Sequence, residues 1–302
     1  MGAAYLHRAR PRRASPYAAL VAEHSRAALI TGCSSGIGRA TALALARSGW
    51  TVYATARRPE SIADLAQAGC HTLALDVTDE ASMVAAVQAV ESAEGAVGAL
   101  VNNAGYSQSG AVETVPPDAL RRQFETNVFG LVRLTQLVLP KMRERRWGKI
   151  VNVGSMGGRL TFPGGGAYHA SKYALEALSD ALRFEVQGFG IDVILVEPGL
   201  ITTEFGEAAS AALTGATAAD GPYAGFNAAV GALTKGAYEG PMRRLGGGPE
   251  RVANVIARAL GRRRPPARVT VTPSAKMMIF TRKLLSDRAW DAMMRRQFPA
   301  PH

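Results

Sequence analysis

The chain is poor in cysteine and aromatic residues and has no long apolar run, and these shortages close off several classes of protein. Its two cysteines, Cys33 and Cys70, stand far apart and outside any Cys-x-x-Cys spacing, so neither a disulfide framework nor a zinc site is indicated. The five histidines (His7, His24, His71, His169, His302) never fall at a ligand spacing such as His-Glu-x-x-His, and no metal is expected. No run of about eighteen apolar residues occurs, and the N-terminus lacks an apolar centre with a small-residue cleavage site. A spanning or exported protein is therefore not expected, and the cytoplasm follows by default.

Acidic residues are scarce at the ends. The net charge of +11 divides into +4 for residues 1–26, −4 for residues 27–240 and +11 for residues 241–302. Such basicity invites a nucleic-acid reading, but no zinc-finger or RNA-binding signature accompanies it, and no nucleic-acid partner is expected.

With 302 residues, 47% of them apolar, the chain can bury a substantial core, and one large α/β domain is expected over 26–273. Residues 1–25, with Arg8, Arg10, Pro11, Arg12, Arg13 and Pro16, have no clear period and read as a disordered extension; a transit peptide would look similar. From residue 27 short apolar runs alternate with helical spacing. Strands are expected at 27–30, 51–55, 71–75, 98–101, 149–153, 191–196 and 268–271. Helices are expected near 37–48, 60–68, 79–93, 118–145, 165–187 and 250–260. Strand and helix in strict turn imply a parallel sheet covered on both faces. The regularity fails over 200–248, rich in Ala, Gly and Thr, and an insertion of that length reads as a lid or substrate loop.

The first strand runs into Thr31-Gly32-Cys33-Ser34-Ser35-Gly36-Ile37-Gly38 and then a helix. Glycines let the backbone approach an anion, and the helix start offers unpaired N–H groups, so this turn is suited to the phosphates of a dinucleotide. The spacing Gly-x-x-x-Gly-x-Gly departs from the commoner Gly-x-Gly-x-x-Gly, and a glycine-rich turn that binds nothing is the alternative.

Tyr168 and Lys172 lie four apart on the helix at 165–187 and share one face. A free phenol has a pKa of about 10, and an ammonium roughly 4 Å away favours the phenolate by up to about 4 kcal/mol, which makes tyrosine a usable acid/base near neutrality. One such pair arises readily by chance, so context must supply the rest. Ser155 follows the apolar run Ile150–Val153, at a strand's carboxyl end, where open parallel sheets bind ligands. Asn127 sits inside a long helical stretch, where Asn is a poor helix former; either it caps a local irregularity or its amide serves the site.

Taken together, Thr31-Gly32-x-x-x-Gly36-x-Gly38, Asn102-Asn103-Ala104-Gly105, Asn127, Ser155, Tyr168-x-x-x-Lys172 and Pro198-Gly199 resemble the short-chain dehydrogenase/reductase family, over about residues 26–200. The turn, the segment Tyr53–Arg57 and the pattern beyond Arg268 look most like the branch of 17-beta-hydroxysteroid and retinol dehydrogenases. The resemblance implies a single-domain Rossmann-type doubly wound parallel sheet of about seven strands with helices on both faces. It implies Tyr168 as acid/base, Lys172 as its electrostatic partner and ribose ligand, Ser155 as donor to the substrate oxygen, and Asn127 in a proton relay. It places the cofactor on Gly32, Ser34, Ser35, Gly36, Ile37 and Gly38, on Asp76 and Val77, on Asn103, Ala104 and Gly105, on Tyr168 and Lys172, and on Pro198, Gly199, Ile201 and Thr202. For Asp76 a cap or turn role is the alternative.

No carboxylate follows the second strand until Glu60; the segment reads Thr55-Ala56-Arg57-Arg58. Arginine suits a 2′-phosphate, so NADP(H) is expected in preference to NAD(H), with Arg57 and Ser35 on that phosphate. The alternative is a solvated turn. Leu160, Phe162, Leu200, Phe205, Phe226 and Leu233 suggest a lipophilic alcohol or ketone such as a steroid, retinoid or polyketide-like compound. The expected reaction interconverts a secondary alcohol and a ketone, or a primary alcohol and an aldehyde. A non-catalytic NADP(H)-binding redox sensor on the same fold is the rival, and an isomerase or dehydratase a further one. The family resemblance also implies a homodimer or homotetramer through residues 118–145 and 165–187. The basic, apolar segment 274–302 reads either as an amphipathic helix contacting anionic lipid or as a helix packed on the body or a second subunit.

Overall fold

The computed structural model describes residues 24–203, 221–240, 244–298 and 300. The expected extension 1–25 lies outside the described residues except for its last two, as do 204–220, which include Phe205, and 241–243 of the expected substrate loop.

Seven strands form one parallel sheet: β1 (Ala27–Ile30), β2 (Thr51–Ala56), β3 (His71–Ala74), β4 (Ala99–Asn102), β5 (Gly148–Val153), β6 (Ile191–Glu197) and β7 (Arg268–Thr270), in the spatial order β3-β2-β1-β4-β5-β6-β7. Each coincides with an expected strand to within a residue or two. The central strands are short and apolar because both faces are covered, and every residue of β1, β4 and β5 is buried.

Alternate side chains feed two cores. Ala28, Ile30, Val52, Ala54, Val101, Val151 and Val153 pack on one face with α1 (Gly36–Arg47). Ala27, Leu29, Tyr53, Leu100 and Ile150 pack on the other, against α2 (Glu80–Glu94) and Leu134, Val138 and Met142 of a long helical stretch.

That stretch differs from the continuous helix expected at 118–145. α3 (Pro117–Phe124) passes through a π-helical turn, Glu125–Phe129, into α4 (Gly130–Glu144). At Gly130 a Cβ would lie 2.1 Å from the Val77 carbonyl, so the helix can approach the loop after β3 only with glycine there. The helix expected at 60–68 is a 3-10 helix, Pro59–Ala68. α5 (Gly166–Val186) follows β5.

The insertion expected to be irregular contains a helix, α6 (Ala224–Glu239), anchored by buried Val230 and by Asn227, whose Oδ1 accepts from the Ala111 N–H at 3.2 Å. Its glycines hide the period that Phe226, Val230 and Leu233 carry. α7 (Pro249–Leu260) leads to β7, and α8 (Pro273–Leu284) and α9 (Asp287–Arg295) complete the described chain.

From β1 the chain moves outward to β2 and β3, then returns to β4 on β1's other side. The connections therefore diverge at the carboxyl ends of β1 and β4 and leave a crevice between them.

Candidate active site

The loops after β1 and β4 are clasped at that crevice. The Thr31 hydroxyl accepts from the Asn103 and Ala104 N–H groups at 3.0 and 2.9 Å, and Asn103 Nδ2 donates to the Thr31 and Gly32 carbonyls at 2.9 and 3.1 Å. Gly32 and Gly36 take positive φ, 71° and 56°, and a Cβ on Gly38 would sit 2.2 Å from the Gly32 carbonyl oxygen. Glycine at all three positions is thus a requirement of the turn.

Ser35 stands at the N-cap of α1, and its side chain makes no capping hydrogen bond. The positive end of the helix and its first N–H groups open onto the crevice beside the exposed Ser34, with Ile37 half-buried behind them. This cradle, whose turn only glycines permit, fits a dinucleotide's phosphates.

Other expected cofactor residues are more engaged. Asp76 Oδ1 accepts from the Thr78 N–H at 2.9 Å and its hydroxyl at 2.8 Å, so the turn role is realised, and Val77 is buried beneath α4. The stretch 102–105 begins inside β4. Asn102 is buried and donates to Asn152 Oδ1 at 3.0 Å and to Thr135 at 3.1 Å, binding strand to strand and to α4. Gly105 is exposed at the crevice. Pro198 accepts from the Met156 N–H at 2.8 Å, and a Cβ on Gly199 would meet Thr272 Oγ1 at 2.3 Å, which fixes the chain after β6 against the start of α8. Ile201 is buried, and the Thr202 N–H donates to the Gly247 carbonyl at 2.9 Å. Arg57, just past β2, is exposed and has no ion-pair partner among the described residues, whereas Arg39 is paired with Asp64.

Tyr168, Lys172 and Glu176 follow one another at one-turn intervals on α5. Lys172 Nζ lies 5.8 Å from the centroid of the half-buried Tyr168 ring and donates to the Val153 carbonyl, at the end of β5, at 2.8 Å. Burial pushes the Lys172 ammonium down to about 8, and the negative charge of Glu176 opposes that fall.

Ser155 heads the turn after β5. Its Oγ accepts from the Gly157 N–H at 3.0 Å, which leaves the hydroxyl proton available to a substrate oxygen. His169 holds this turn and the following loop on α5, with Nδ1 at 2.9 Å from the Gly157 carbonyl and Nε2 accepting from the Phe162 N–H at 3.2 Å. Those two bonds require the neutral ring with its proton on Nδ1, and burial lowers the His169 pKa in the same sense.

Asn127 falls in the π turn, where the irregularity points its amide inward. Its Oδ1 accepts from the Tyr106 N–H at 3.1 Å, and its Nδ2 donates to the Tyr106 carbonyl at 3.0 Å and to Ser171 Oγ at 3.1 Å. It ties the loop after β4 to α5, and both of its donor hydrogens are committed.

Behind Lys172 lies a charge cluster that sequence reasoning missed. Arg268 of β7 binds Glu176 at 2.9 Å, Glu197 at 2.9 Å and Asp180 at 3.0 Å, and Arg159 lies 3.2 Å from Glu197. Burial, with the neighbouring Glu197 charge, raises Glu176 to about 7 against the pull of the two arginines. Only the four-residue spacing of Glu176 from Lys172 was visible in the sequence.

The expected substrate side chains divide. Leu160 belongs to a core cluster with Ile279, Trp290 and Met294 and does not face a ligand. Phe162 and Phe226 line a cavity of about 480 Å³ bounded also by Trp290, Met294 and Phe298. Ser155, Tyr168 and Lys172 do not line it; the cavity adjoins them through residues 161–164 of the intervening loop and through Gly166 and Tyr173 of α5. Among the described residues no group of three or more His, Cys, Asp or Glu side chains could hold a metal ion.

Comparison with known proteins supplies the family. Residues 26–214 match the family model described as short chain dehydrogenase. The chain is 36% identical to a 3-ketodihydrosphingosine reductase of Bacteroides thetaiotaomicron, over 83% of this chain and 89% of that protein. It is likewise 36% identical to an NADPH-dependent 3-dehydrocapnine reductase of Ornithobacterium rhinotracheale, over 88% and 95% respectively. A solved short-chain dehydrogenase from Streptomyces avermitilis superposes with a TM-score of 0.74 at 38% identity, covering 90% of this chain and 97% of that one.

Proposed function

Because the chain belongs to the short-chain dehydrogenase family, and so is an oxidoreductase of a nucleotide-binding fold, we propose that it interconverts a lipophilic ketone and its secondary alcohol using NADP(H). The observation that carries the reading is the Tyr168–Lys172 pair on α5, beside the Ser155 turn and the clasped glycine cradle. When bound, the nicotinamide supplies or accepts the hydride. Tyr168 delivers the proton to the developing alkoxide, or takes it back in the reverse direction. Lys172 holds positive charge near that phenol, and Ser155 donates to the substrate oxygen and orients the carbonyl. Asn127 and His169 keep the loops on either side of the phenol in register.

Preference for NADP(H) is supported by the exposed Arg57 at the end of β2, by the lack of a carboxylate there, and by the NADPH dependence of the dehydrocapnine reductase. We place the substrate among lipophilic ketones, in line with the 3-keto and 3-dehydro compounds for which the two reductases are named, ahead of the steroids and retinoids that the branch resemblance implies. The apolar loop residue Phe162 is consistent with such a substrate. A homo-oligomer through 118–145 and 165–187 is supported by Phe129, Tyr173, Leu178 and Phe184, which stand exposed on those helices.

The test is a screen of ketones of increasing chain length, following NADPH absorbance, with Tyr168→Phe as control. Activity on a lipophilic ketone should fall about 10²- to 10⁴-fold in the variant while NADPH binding persists. Equal activity of the variant, or turnover confined to small polar sugars, would overturn the reading.

A further inference from the structure

α8 shows solvent an apolar line where a surface helix ordinarily shows charge. Its inner side is fixed by Ser274, Ala275 and Ile279, and Thr272 caps its start by accepting from the Ala275 N–H at 3.3 Å. On the outer side Met277, Phe280 and Leu284 stand 43%, 63% and 68% exposed. At 3.6 residues per turn these positions fall on one line, and the exposed Lys276 and Lys283 run along its flank.

Charge selects what covers this line. The helices α8 and α9 themselves are cationic: residues 273–298 hold six lysines and arginines against two aspartates, a net charge of +4, so the apolar stripe lies in a positively charged setting. A second copy meeting the stripe about a two-fold axis would set the same cations against each other. The acids nearby are Asp287, already paired with Arg282, and Asp291. An anionic surface with an apolar interior satisfies both features at once, and among the described residues no helix is long and apolar enough to cross a membrane.

We propose that α8 docks the protein reversibly on an anionic lipid bilayer, with Met277, Phe280 and Leu284 at the boundary between headgroups and acyl chains and Lys276 and Lys283 on the phosphates. This docking does not depend on the proposed oxidoreductase substrate. It does give the cavity that α8 and α9 help to line a lipid neighbour, through Arg282, Trp290 and Met294.

The experiment is flotation of the full chain with two kinds of vesicle, phosphatidylcholine alone and equal parts phosphatidylcholine and phosphatidylglycerol. The protein should float with the mixed vesicles only, and less at high salt. Phe280→Ser with Leu284→Ser, and separately Lys276→Glu with Lys283→Glu, should each weaken partitioning about tenfold or more with unchanged melting temperature. Phe189→Ser, at an exposed phenylalanine outside both α8 and the helices of the proposed oligomer contact, should not. The proposal fails if neither vesicle recruits the wild type, if Phe189→Ser weakens flotation as much as the α8 variants, or if light scattering shows the serine pair dissolving an oligomer while flotation is unaffected.

Discussion

Glu176 accepts two hydrogen bonds from Arg268, at 2.9 and 3.2 Å, one helical turn beyond Lys172. The two residues belong to a cluster in which Glu176, Glu197 and Asp180 face Arg159, Arg183 and Arg268, with the Lys172 ammonium beside Glu176. Glu176 is therefore a positioning residue for the charge on Lys172. Replacing it by Gln removes the influence that holds the ammonium up against burial. For ketone reduction the alkaline limb of kcat/KM, which reports the free enzyme, should move to lower pH in Glu176→Gln, with little change at the acid end. An unchanged pH profile would reduce the carboxylate to a scaffold.

Lys172 itself is held in a strained charge state. Its pKa falls from 10.5 to about 8 on burial, which at pH 7 disfavours the fold by about 3 kcal/mol. A lysine with a depressed folded pKa imposes this cost below that pKa, and the cost fades as pH rises from about 8 to 10.5. Lys172→Met should lose activity yet melt higher at pH 7, by about 1 to 2 kcal/mol after the Val153 carbonyl loses its donor. The gap between the two proteins should narrow as pH rises through that window, as thermal melts at several pH values would reveal.

Under the proposed function Arg57 reads the 2′-phosphate of NADP(H). A charge-assisted bond to a phosphate is worth about 1.5 to 3 kcal/mol, so Arg57→Ala should weaken NADP(H) binding about ten- to hundredfold and leave NAD(H) nearly unchanged. Fluorescence titration with both dinucleotides decides the matter. Equal losses for the two would show that the arginine does not read the 2′-phosphate.

The glycine turn separates two kinds of glycine. At Gly38 a Cβ would press on the Gly32 carbonyl at 2.2 Å and Asn103 Nδ2 at 2.5 Å, whereas at Gly49, φ 75°, nothing lies within 4 Å. Gly38→Ala should abolish dinucleotide binding and lower stability by about 2 kcal/mol or more. Gly49→Ala should cost only about 1 kcal/mol of backbone strain and bind normally.

The inner strands were legible because a strand buried on both faces must read as a short apolar run, and Ala27–Ile30 and the Val193–Val196 part of β6 do so without a helical period to compete. The Tyr168, Lys172 and Ser155 constellation was legible for a different reason, since each position lies next to a recognisable strand end or helix turn. The cluster behind Lys172 was not. Arg268 and Glu176 are separated by 92 positions, and only the pairing of β6 with β7 brings them together. Likewise α6 was hidden because Ala and Gly supply its bulk, and its burial depends on contacts to the distant residue 111.

Asn127 shows where sequence and geometry meet. Its poor fit to a helix marked it as unusual, and the π turn is the physical form that the misfit takes. Both hydrogens of its amide are committed to Tyr106 and Ser171, so in this form it acts by holding the loop after β4 against α5 and has no hydrogen left for a water or a substrate. Asn127→Asp puts an acceptor where two acceptors already stand and adds a buried charge, while Asn127→Leu leaves the Tyr106 N–H without its partner and the Tyr106 carbonyl with Gln123 alone. Each should cost about 2 kcal/mol or more of stability, the first most severely above the carboxylate pKa. If the residue positions the loop, both variants should lower kcat and hasten hydrogen exchange at the Tyr106 amide together. A fall in kcat with the amide still fully protected would instead assign Asn127 a direct part in moving the proton.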